Sequence, residues 1–569
     1  MKRPQRPAKR QALCPADSQP ARAKKNAKAK ASSSGGSGDV AKMLQRAAQV
    51  QAEPELLSPL ADLVPEPAGC AVPEPPAPFD KPVRHVDSLQ HAFKAMHSAL
   101  TRCQRNKVKQ TLERLQGFRV CTGCSGSEIQ HVVGDFVVKN ILKKGSGSYR
   151  TLWSCDCDAT RQRFISNVVF HRLKGDEKPC MFTQLEDLQQ GHATCTAHGK
   201  DCLTISKVDR APDMFVSSWS CKDWSRLKNA KQDPISLMKE NSGPTAKTFY
   251  AILSYLNAAR VWCLVGENLE DMAQPGSDLQ HFIAQELYNI GYACSIFVLK
   301  GSEVTAPTSR SRGWIVALEF FRSGIDYQEA KSILAQLQTI IEKFKCEHDD
   351  SLSLESILLS PDSPYLREVL KSHQKNPVPA QREQTDWQER FIVELRKKGL
   401  TWSQLQTPAR TAASPWWPFL TQRAQCTITY ELHLNSALTS IETSQSPGRC
   451  HTRDDHVAGT VLPKGRIWLP MANRWLLGKE SLMIHGFREQ DLDSKLLAAA
   501  KISDAALHDI GGNMFAGQCF MAIFLGMLVL WPDFANVRRK IEAAEVVKEQ
   551  EAQKNGDPTI DEIANLLLL

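Results

Sequence analysis

The sequence predicts an α/β protein whose central sheet is mostly parallel and carries helices on both faces. Short apolar runs alternate with helical stretches from about residue 117 to residue 322, which is typical of such a sheet. Several runs end in glycine or polar side chains, and ligands bind beyond the carboxyl ends of parallel strands. The alternation stops after residue 322 and resumes near residue 463, which indicates an inserted module.

The first 85 residues read as a disordered tail that is basic and rich in proline. Residues 1–30 hold ten Lys and Arg against one acidic residue, a net charge of +9. The whole chain also carries +9, so residues 31–569 sum to zero. We expect this cationic segment to bind phosphate backbones or a nuclear-import receptor, and the protein to reside in the nucleus. A solvated tail that only aids solubility is the alternative.

Composition excludes several other classes of protein. Hydrophobic residues make up 42% of the chain, enough for a packed core. The 17 cysteines show no framework of a small secreted domain, which favours reduced thiols in the cytosol or nucleus. We see no secretory signal. The most apolar run, residues 520–531, is too short to cross a bilayer and predicts a buried helix, so we expect no membrane partner.

The elements follow in order along the chain. Helical spacing of Leu89, Phe93, Met96 and Leu100 predicts a helical lead-in over residues 86–116. Residues 117–322 form the first part of the main domain, residues 323–462 the inserted module and residues 463–535 the closing part. Residues 536–569 are expected to be a helical or flexible tail. Predicted strands are 118–122, 152–155, 214–217, 261–265, 294–298 and 314–318, and predicted helices include 245–259 and 278–290.

A loop of small residues, from Cys121 to Gly126, follows the first predicted strand. Such residues let the backbone turn tightly and approach a nucleotide-like ligand. Asp156 ends the second strand and could hold ribose hydroxyls. Asp187 lies further on, where a carboxylate could accept a hydrogen bond from an adenine amino group. An ordinary turn or a solvated loop explains each of these features when it is taken alone.

Cys221 follows the predicted strand at 214–217, beside Lys222 and among polar residues. This setting could favour a nucleophilic thiolate, whereas a buried structural cysteine is the alternative for any single thiol. Polar groups also follow the next strand, at Glu267 and Asn268. Arginines precede a later strand, within residues 308–312.

The order of these elements resembles the DNA cytosine-5 methyltransferase family, in a divergent form, over about residues 117–530. In that family a glycine-rich loop precedes the motifs Pro-Cys-Gln-x-Phe-Ser, Glu-Asn-Val and Gln-x-Arg-x-Arg, whose counterparts here are residues 220–225, 267–269 and 308–312. Residues 474–487 look like the family's segment that ends in Gln-Gly-Phe. Residues 509–515 look like its closing Gly-Asn-Ala-Val. These matches in the same order, with an insert in the same gap, weigh far more than any one of them.

This resemblance implies a Rossmann-like S-adenosylmethionine-dependent methyltransferase with a target-recognition region at residues 323–462. S-adenosylmethionine would be the cofactor and duplex DNA the partner. Cys221 would attack carbon 6 of a flipped cytosine, Glu267 would hold or protonate ring nitrogen 3, and Arg312 would steady the exocyclic oxygen. The implied nucleic-acid contacts are Lys222, Ser225 and Arg310. The implied cofactor contacts are Cys121, Thr122, Gly123, Gly126, Asp156, Asp187 and Asn513.

The chain departs from the family pattern at several positions. Ser220 stands for the usual Pro, Lys222 for Gln, Trp224 for Phe, and Cys121 for the leading Phe of the glycine loop. Because the Cys, Glu and Arg are retained, we expect activity. An RNA (tRNA) cytosine-5 methyltransferase and an inactive nucleic-acid-binding relative remain the alternatives.

Two further features have competing interpretations. In the inserted module, Trp402, Trp416 and Trp417 could stack on nucleic acid or form the module's own core. The possible zinc ligands His192, Cys195, His198 and Cys202 lie within eleven residues. Because zinc sites normally pair two close ligands with two distant ones, we favour a polar loop without metal over a zinc site.

Overall fold

A computed structural model describes most of the chain between Val86 and Trp531. The described residues are 86–115, 118–142, 149–204, 212–223, 233–321, 325–346, 352–375, 386–445 and 450–531. The tails predicted at residues 1–85 and 536–569 lie outside them, as does Ser225.

A seven-stranded sheet forms the centre of the molecule, in the order β3-β2-β1-β6-β7-β9-β8. Strands β1, β2, β3, β6 and β7 run parallel, whereas β9 is antiparallel to both of its neighbours. The prediction of a mostly parallel, Rossmann-like α/β sheet is confirmed. Together with a separate hairpin of β4 and β5, the strands are β1 (Phe118–Gly123), β2 (Tyr149–Cys155), β3 (Cys180–Phe182), β4 (His192–Cys195), β5 (Lys200–Leu203), β6 (Met214–Ser218), β7 (Cys263–Asn268), β8 (Tyr292–Lys300) and β9 (Ser311–Glu319).

Two apolar layers cover the two faces of this sheet. The central strand β1 supplies both, because Val120 faces one layer and Cys121 the other. Strands buried on both faces read as nearly continuous apolar runs, which is why most were predictable. The three-residue strand β3 was missed because it is too short to show a pattern.

The predicted helical lead-in is two helices, α1 (Ser88–Ala99) and α2 (Arg102–Arg114). Thr101 caps the second helix: its hydroxyl accepts from the Gln104 amide, and the Gln104 side chain accepts from the Thr101 amide. The other helices of the main domain are α3 (Ile129–Leu142), α4 (Ala159–Phe164), α5 (Pro234–Lys239), α6 (Gly243–Ala259), α7 (Asp278–Asn289), α8 (Tyr327–Glu342), α13 (Gly478–Met483), α14 (Ser494–Ala499), α15 (Asp504–Asn513) and α16 (Gly517–Trp531). The helices of the inserted region are α9 (Pro364–Lys375), α10 (Asp386–Lys397), α11 (Ala409–Ala412) and α12 (Gln422–Leu434).

The inserted region contributes β10 and β11 to a small antiparallel sheet in the order β11-β10-β12-β13, whose strands β12 and β13 come from the closing part. Its tryptophans lie inside: Trp416 packs on Trp475, Trp417 on Trp468, and Trp402 on Phe391, with ring centres 5.3–6.2 Å apart. The structure therefore favours a core role over base stacking, but the core of Trp416 and Trp417 is shared with the closing part and is not the module's own. The strands are β10 (Ser440–Glu442), β11 (Thr452–Arg453), β12 (Ile467–Leu469) and β13 (Arg474–Trp475).

Helix α8 follows the expected domain boundary at residue 322, yet it packs on the main sheet. Lys331 donates to the Cys294 carbonyl and Gln338 to the Ser295 hydroxyl, both on β8. The helical layer of the main domain therefore continues past that boundary.

The last described helix, α16, is buried along its length, as predicted for residues 520–531. Among the described residues, no single helix is long and apolar enough to span a membrane. Helices α15 and α16 reach that criterion only as a pair, bent by 43°.

Candidate active site at the carboxyl edge of the sheet

The register of the sheet brings the ends of five parallel strands into one row. Gly123 of β1 lies opposite Cys155 of β2 and Ser217 of β6. Cys155 in turn lies opposite Phe182, and Ser217 opposite Gly266. The loops predicted to bind ligand therefore start side by side, at the edge where α/β proteins bind their ligands.

The glycine loop turns sharply at the end of β1. A Cβ on Gly123 would lie 2.6 Å from the Ser217 hydroxyl and 2.9 Å from Leu185, so no larger residue fits. Gly126 has a φ of +64°, a conformation that favours glycine. Around its Cβ position only the Asn513 backbone comes within 4 Å. A ligand can therefore approach the backbone of Gly126, and predicted Asn513 lies beside it.

Asp156 links the glycine loop to the end of β2. Its carboxylate accepts from the amides of Gly126 (3.1 Å) and Asp158 (2.9 Å), and Arg161 lies 3.9 Å away. Burial raises the pKa of Asp156, although Arg161 acts in the opposite direction. The residue thus stands at the predicted place, with its oxygens directed at backbone amides.

Cys121 and Thr122 point away from this edge. The Cys121 side chain is fully buried in the apolar layer, so only its backbone can meet a ligand. The Thr122 hydroxyl donates to the carboxylate of Glu128, and burial raises the pKa of Glu128 to about 7. The sequence prediction overlooked Glu128. The feature that could have identified it is its position, as a single acidic residue between the glycine loop and an apolar helix.

Acidic residues after β3 complete this side of the site. Asp187 is half-buried, whereas its neighbour Glu186 is exposed. The negative charge of Glu186 reaches the glycine loop, because it helps to raise the pKa of the Cys124 thiol. Either carboxylate could therefore serve the role that the sequence assigned to Asp187 alone.

The loop with Cys221 starts three residues earlier, at Ser218, which pairs with Glu267. The Asn268 side chain donates to the Trp219 carbonyl (3.0 Å), and the Thr248 hydroxyl accepts from the Ser220 amide (3.0 Å). These bonds anchor the two residues that precede Cys221, whose side chain is exposed. Thr248, on α6, was not predicted.

The electrostatic setting of Cys221 differs from the sequence expectation. Although the Cys221 side chain is exposed, the protein around it excludes part of the water, and this desolvation is the largest cause that raises the pKa of the thiol. The charge of Glu267 raises the pKa further, while Arg312 and Arg310 lower it. The net shift is upward. The expectation that Lys222 and the polar loop favour the thiolate is therefore wrong for the ligand-free protein; Lys222 itself is exposed.

Glu267 and Arg312 meet at the edge because β9 runs opposite to β7. The Arg312 Nε lies 3.0 Å from Glu267 Oε1, but its N–H is not directed at that oxygen, which has no hydrogen-bond partner among the described residues. Glu267 is only 7% exposed. Since buried polar atoms are nearly always paired, this oxygen is available for a hydrogen bond with a ligand.

Arg310 takes a structural position instead of the predicted nucleic-acid contact. It is buried and donates to the carbonyls of Val461 (3.1 Å) and Gly512 (3.2 Å). Burial lowers its pKa to about 9. Arg310 therefore ties the closing part of the domain to the strand that carries Arg312.

Residues 192–203 form the hairpin of β4 and β5, not the expected polar loop. His192 is exposed and lies opposite Leu203, away from the other three residues of the sequence cluster. Cys180 of β3 takes its place: the ligand atoms of Cys180, Cys195, His198 and Cys202 lie within 4.8 Å of one another.

Comparison with known proteins finds similarity to methyltransferases. No family model matches the chain. DNA (cytosine-5-)-methyltransferase DMT5 of Cryptococcus neoformans var. grubii is 23% identical over 288 residues, which is 49% of this chain and 11% of that relative. The chain thus spans about a tenth of the length of this relative and is similar to it over half of its own.

Solved structures of methyltransferases also match. A putative DNA modification methyltransferase encoded within an E. coli prophage shares 11% identity with a TM-score of 0.37, covering 72% of this chain and 98% of that one. The S. pombe Dnmt2 methyltransferase shares 13% identity with a TM-score of 0.33, covering 73% of this chain and 98% of that one.

Proposed function

We propose that this protein transfers a methyl group from S-adenosylmethionine to carbon 5 of cytosine in DNA. The observation that carries the proposal is the meeting of Cys221, Glu267 and Arg312 at one edge of the sheet, next to the glycine loop. The similarity to a relative named as a DNA methyltransferase supports DNA as the substrate.

The residues of the glycine-loop side fit the proposed cofactor. Backbone access at Gly126, the strand-end carboxylate of Asp156 and the carboxylates of Glu186 and Asp187 suit a ligand with hydroxyl and amino groups. Asn513 would close the site from the last part of the domain. When bound, S-adenosylmethionine supplies an electrophilic methyl group.

Carbon 5 of cytosine is a weak nucleophile until a group adds to carbon 6. Cys221 would form that bond as the thiolate, and carbon 5 would then take the methyl group as its bond to the cofactor sulfur breaks, which would leave S-adenosylhomocysteine as the departing thioether. Loss of the carbon 5 proton and departure of the thiolate restore the ring. The buried oxygen of Glu267 would hold ring nitrogen 3, and Arg312 the exocyclic oxygen.

The same geometry indicates how the thiolate can form. The Glu267 charge raises the pKa of Cys221, so a proton on Glu267, as its role at nitrogen 3 requires, removes that unfavourable charge. Arg312 and Arg310 would then oppose only the effect of burial on the thiolate, which is the largest cause of the raised thiol pKa.

A contact between the inserted region and the catalytic side supports a role of this region in target recognition. Ser309 donates from its amide to the Ala458 carbonyl (2.8 Å), which joins the end of this region to the segment before Arg312. Because the reacting base must leave its stack, we assign residues 352–462 the task of holding the surrounding nucleic acid.

We assign the cationic tail, residues 1–30, to phosphate binding and to nuclear localisation. Deleting residues 1–85 should leave S-adenosylmethionine binding intact but weaken DNA binding. The affinity for DNA should also depend less steeply on salt concentration, because fewer phosphates are contacted and fewer counterions are released. Loss of cofactor binding in the truncated chain would contradict this division.

The test of the proposal is incubation of the full chain with methyl-labelled S-adenosylmethionine and either duplex DNA or RNA. We expect 5-methylcytosine in DNA, identified by mass spectrometry of nucleosides, and none with Cys221→Ala. Cys103→Ser, which changes an exposed cysteine on α2, should retain activity. Methylation of RNA alone would establish the RNA alternative. Cofactor binding without product on either substrate would establish the inactive alternative, with Ser220 and Lys222 as the first positions to revert.

A further inference from the structure

Four side chains that the proposed methyl transfer does not use converge beside β3. Cys180 begins β3, Cys195 ends β4, His198 lies in the hairpin turn and Cys202 lies on β5. The turn is closed by the Gly199 amide, which donates to the Cys195 carbonyl (2.8 Å). The hairpin thus supplies three of the side chains and the edge strand of the main sheet supplies the fourth.

The distances within this group match a tetrahedral metal site. His198 Nδ1 lies 3.4 Å from the sulfur of Cys180, 3.3 Å from that of Cys195 and 3.6 Å from that of Cys202. Zinc bonds of about 2.3 Å to sulfur and about 2.0–2.1 Å to nitrogen place a ligand nitrogen about 3.5 Å from each sulfur in a tetrahedron.

Hydrogen bonding alone does not account for the arrangement. A neutral imidazole nitrogen accepts along one lone pair, so it can pair with one thiol but not with three. The backbone amide of Met181 already donates to the Cys195 sulfur (3.3 Å), a contact that stabilises a thiolate. All of these cysteines are free thiols.

We propose that Cys180, Cys195, His198 and Cys202 bind a structural zinc ion. Three thiolates and one imidazole are ligands that zinc accepts in tetrahedral sites. The protein supplies all four ligands, so no position remains for water or substrate and the ion has a structural role. Sequence spacing alone pointed to His192, because Cys180 lies fifteen residues before Cys195 and joins the group only through the fold.

The ion would hold the segment between β3 and β4 in place. The hairpin already binds both ends of this segment: Thr196 donates to the Met181 carbonyl, and the Thr204 hydroxyl donates to the Leu188 carbonyl (2.6 Å). Glu186 and Asp187 lie between these anchors. On the proposed function, zinc would therefore stiffen one wall of the cofactor site; the metal site itself does not depend on that function.

Zinc content of the purified full chain, measured by inductively coupled plasma mass spectrometry after dialysis, tests the proposal. We expect roughly one zinc ion per chain, lost in Cys180→Ser and Cys202→Ser. His192→Asn, which changes an exposed histidine on the same hairpin, should retain the ion. Wild-type chain without metal, a stoichiometric metal other than zinc, or a disulfide between two of these cysteines would overturn the proposal.

A second measurement covers variants that fail to fold. Wild-type chain grown with cobalt should show the thiolate charge-transfer bands and the intense d–d bands of a tetrahedral sulfur-rich site. Octahedral cobalt bands would contradict the assignment. Neither readout depends on methyltransferase activity, so failure of the proposed function would leave this result unchanged.

Discussion

The backbone amide of Gly126 donates a hydrogen bond to the carboxylate of Asp156 across the ends of two neighbouring strands (3.1 Å). This bond fixes the shape of the glycine loop relative to the acid that is proposed to bind the cofactor ribose. Asp156→Ala removes both functions. Since a hydrogen bond to a charged group contributes about 1.5–3 kcal/mol, we expect S-adenosylmethionine affinity to fall about tenfold or more, as measured by calorimetry.

Asp362→Ala is the control for this change, because Asp362 is an exposed acid in the inserted region. Its cofactor affinity should equal that of the wild type. An unchanged affinity in Asp156→Ala as well would remove Asp156 from the cofactor site.

A covalent adduct is expected with DNA that carries 5-fluorocytosine at the target. After methyl transfer, fluorine at carbon 5 cannot leave as a proton does, so the bond between Cys221 and carbon 6 persists. A denaturation-resistant band that requires S-adenosylmethionine should appear on a gel. Cys221→Ala should form no band while it retains cofactor binding. A band that persists in this variant would place the nucleophile elsewhere; Cys121 is fully buried and cannot substitute.

The pH dependence of Cys221 alkylation should follow its charged neighbours. Burial and Glu267 raise the thiol pKa, so the rate of iodoacetamide labelling, followed by peptide mass spectrometry, should have its midpoint above the value of about 8.5 for a free cysteine. Glu267→Gln removes a negative charge and should lower the midpoint. Arg312→Gln removes a positive charge and should raise it. Shifts of the same sign in the two variants would contradict the proposed arrangement.

Stability of the closing part should depend on Arg474 and Glu480. The Arg474 guanidinium makes two bonds to the Glu480 carboxylate (2.7 and 2.6 Å), and the amides of Leu477 and Leu359 donate to the same group. Because removing one partner leaves a buried charge, Glu480→Ala should reduce the free energy of unfolding by about 3–5 kcal/mol in urea denaturation.

The matched comparison is Glu113→Ala, which removes the exposed pair with Lys109 on α2. Exposed pairs contribute about 0–1 kcal/mol, so this variant should unfold close to the wild type. Equal losses in the two variants would mean that the buried position of Glu480 is unimportant.

The sequence predicted secondary structure well where burial of both faces of a strand produces a run of apolar residues. Strands 118–122 and 214–217 were predicted to within one residue, because both of their faces are apolar. The meeting of Cys221 with Glu267 was predictable too, since parallel strands end at one edge. Side-chain direction was not: Arg310 and Arg312 look equivalent in the sequence, but one turns inward to carbonyls and the other faces Glu267. Cys180 joins Cys195, His198 and Cys202 only because β3 packs beside the hairpin, and the spacing of residues along the sequence does not encode that contact.

The last described helix has a consequence for the order in which the chain can fold during synthesis. Phe118, at the start of the central strand β1, packs on Phe524 and Trp531 of α16, and Thr111 bonds to Leu528, 417 residues further along the chain. Part of one face of β1 therefore stays uncovered until the ribosome has released almost the entire domain. Such a nascent chain exposes apolar surface for a long time, so its yield in cells should depend on chaperones that bind incomplete α/β sheets.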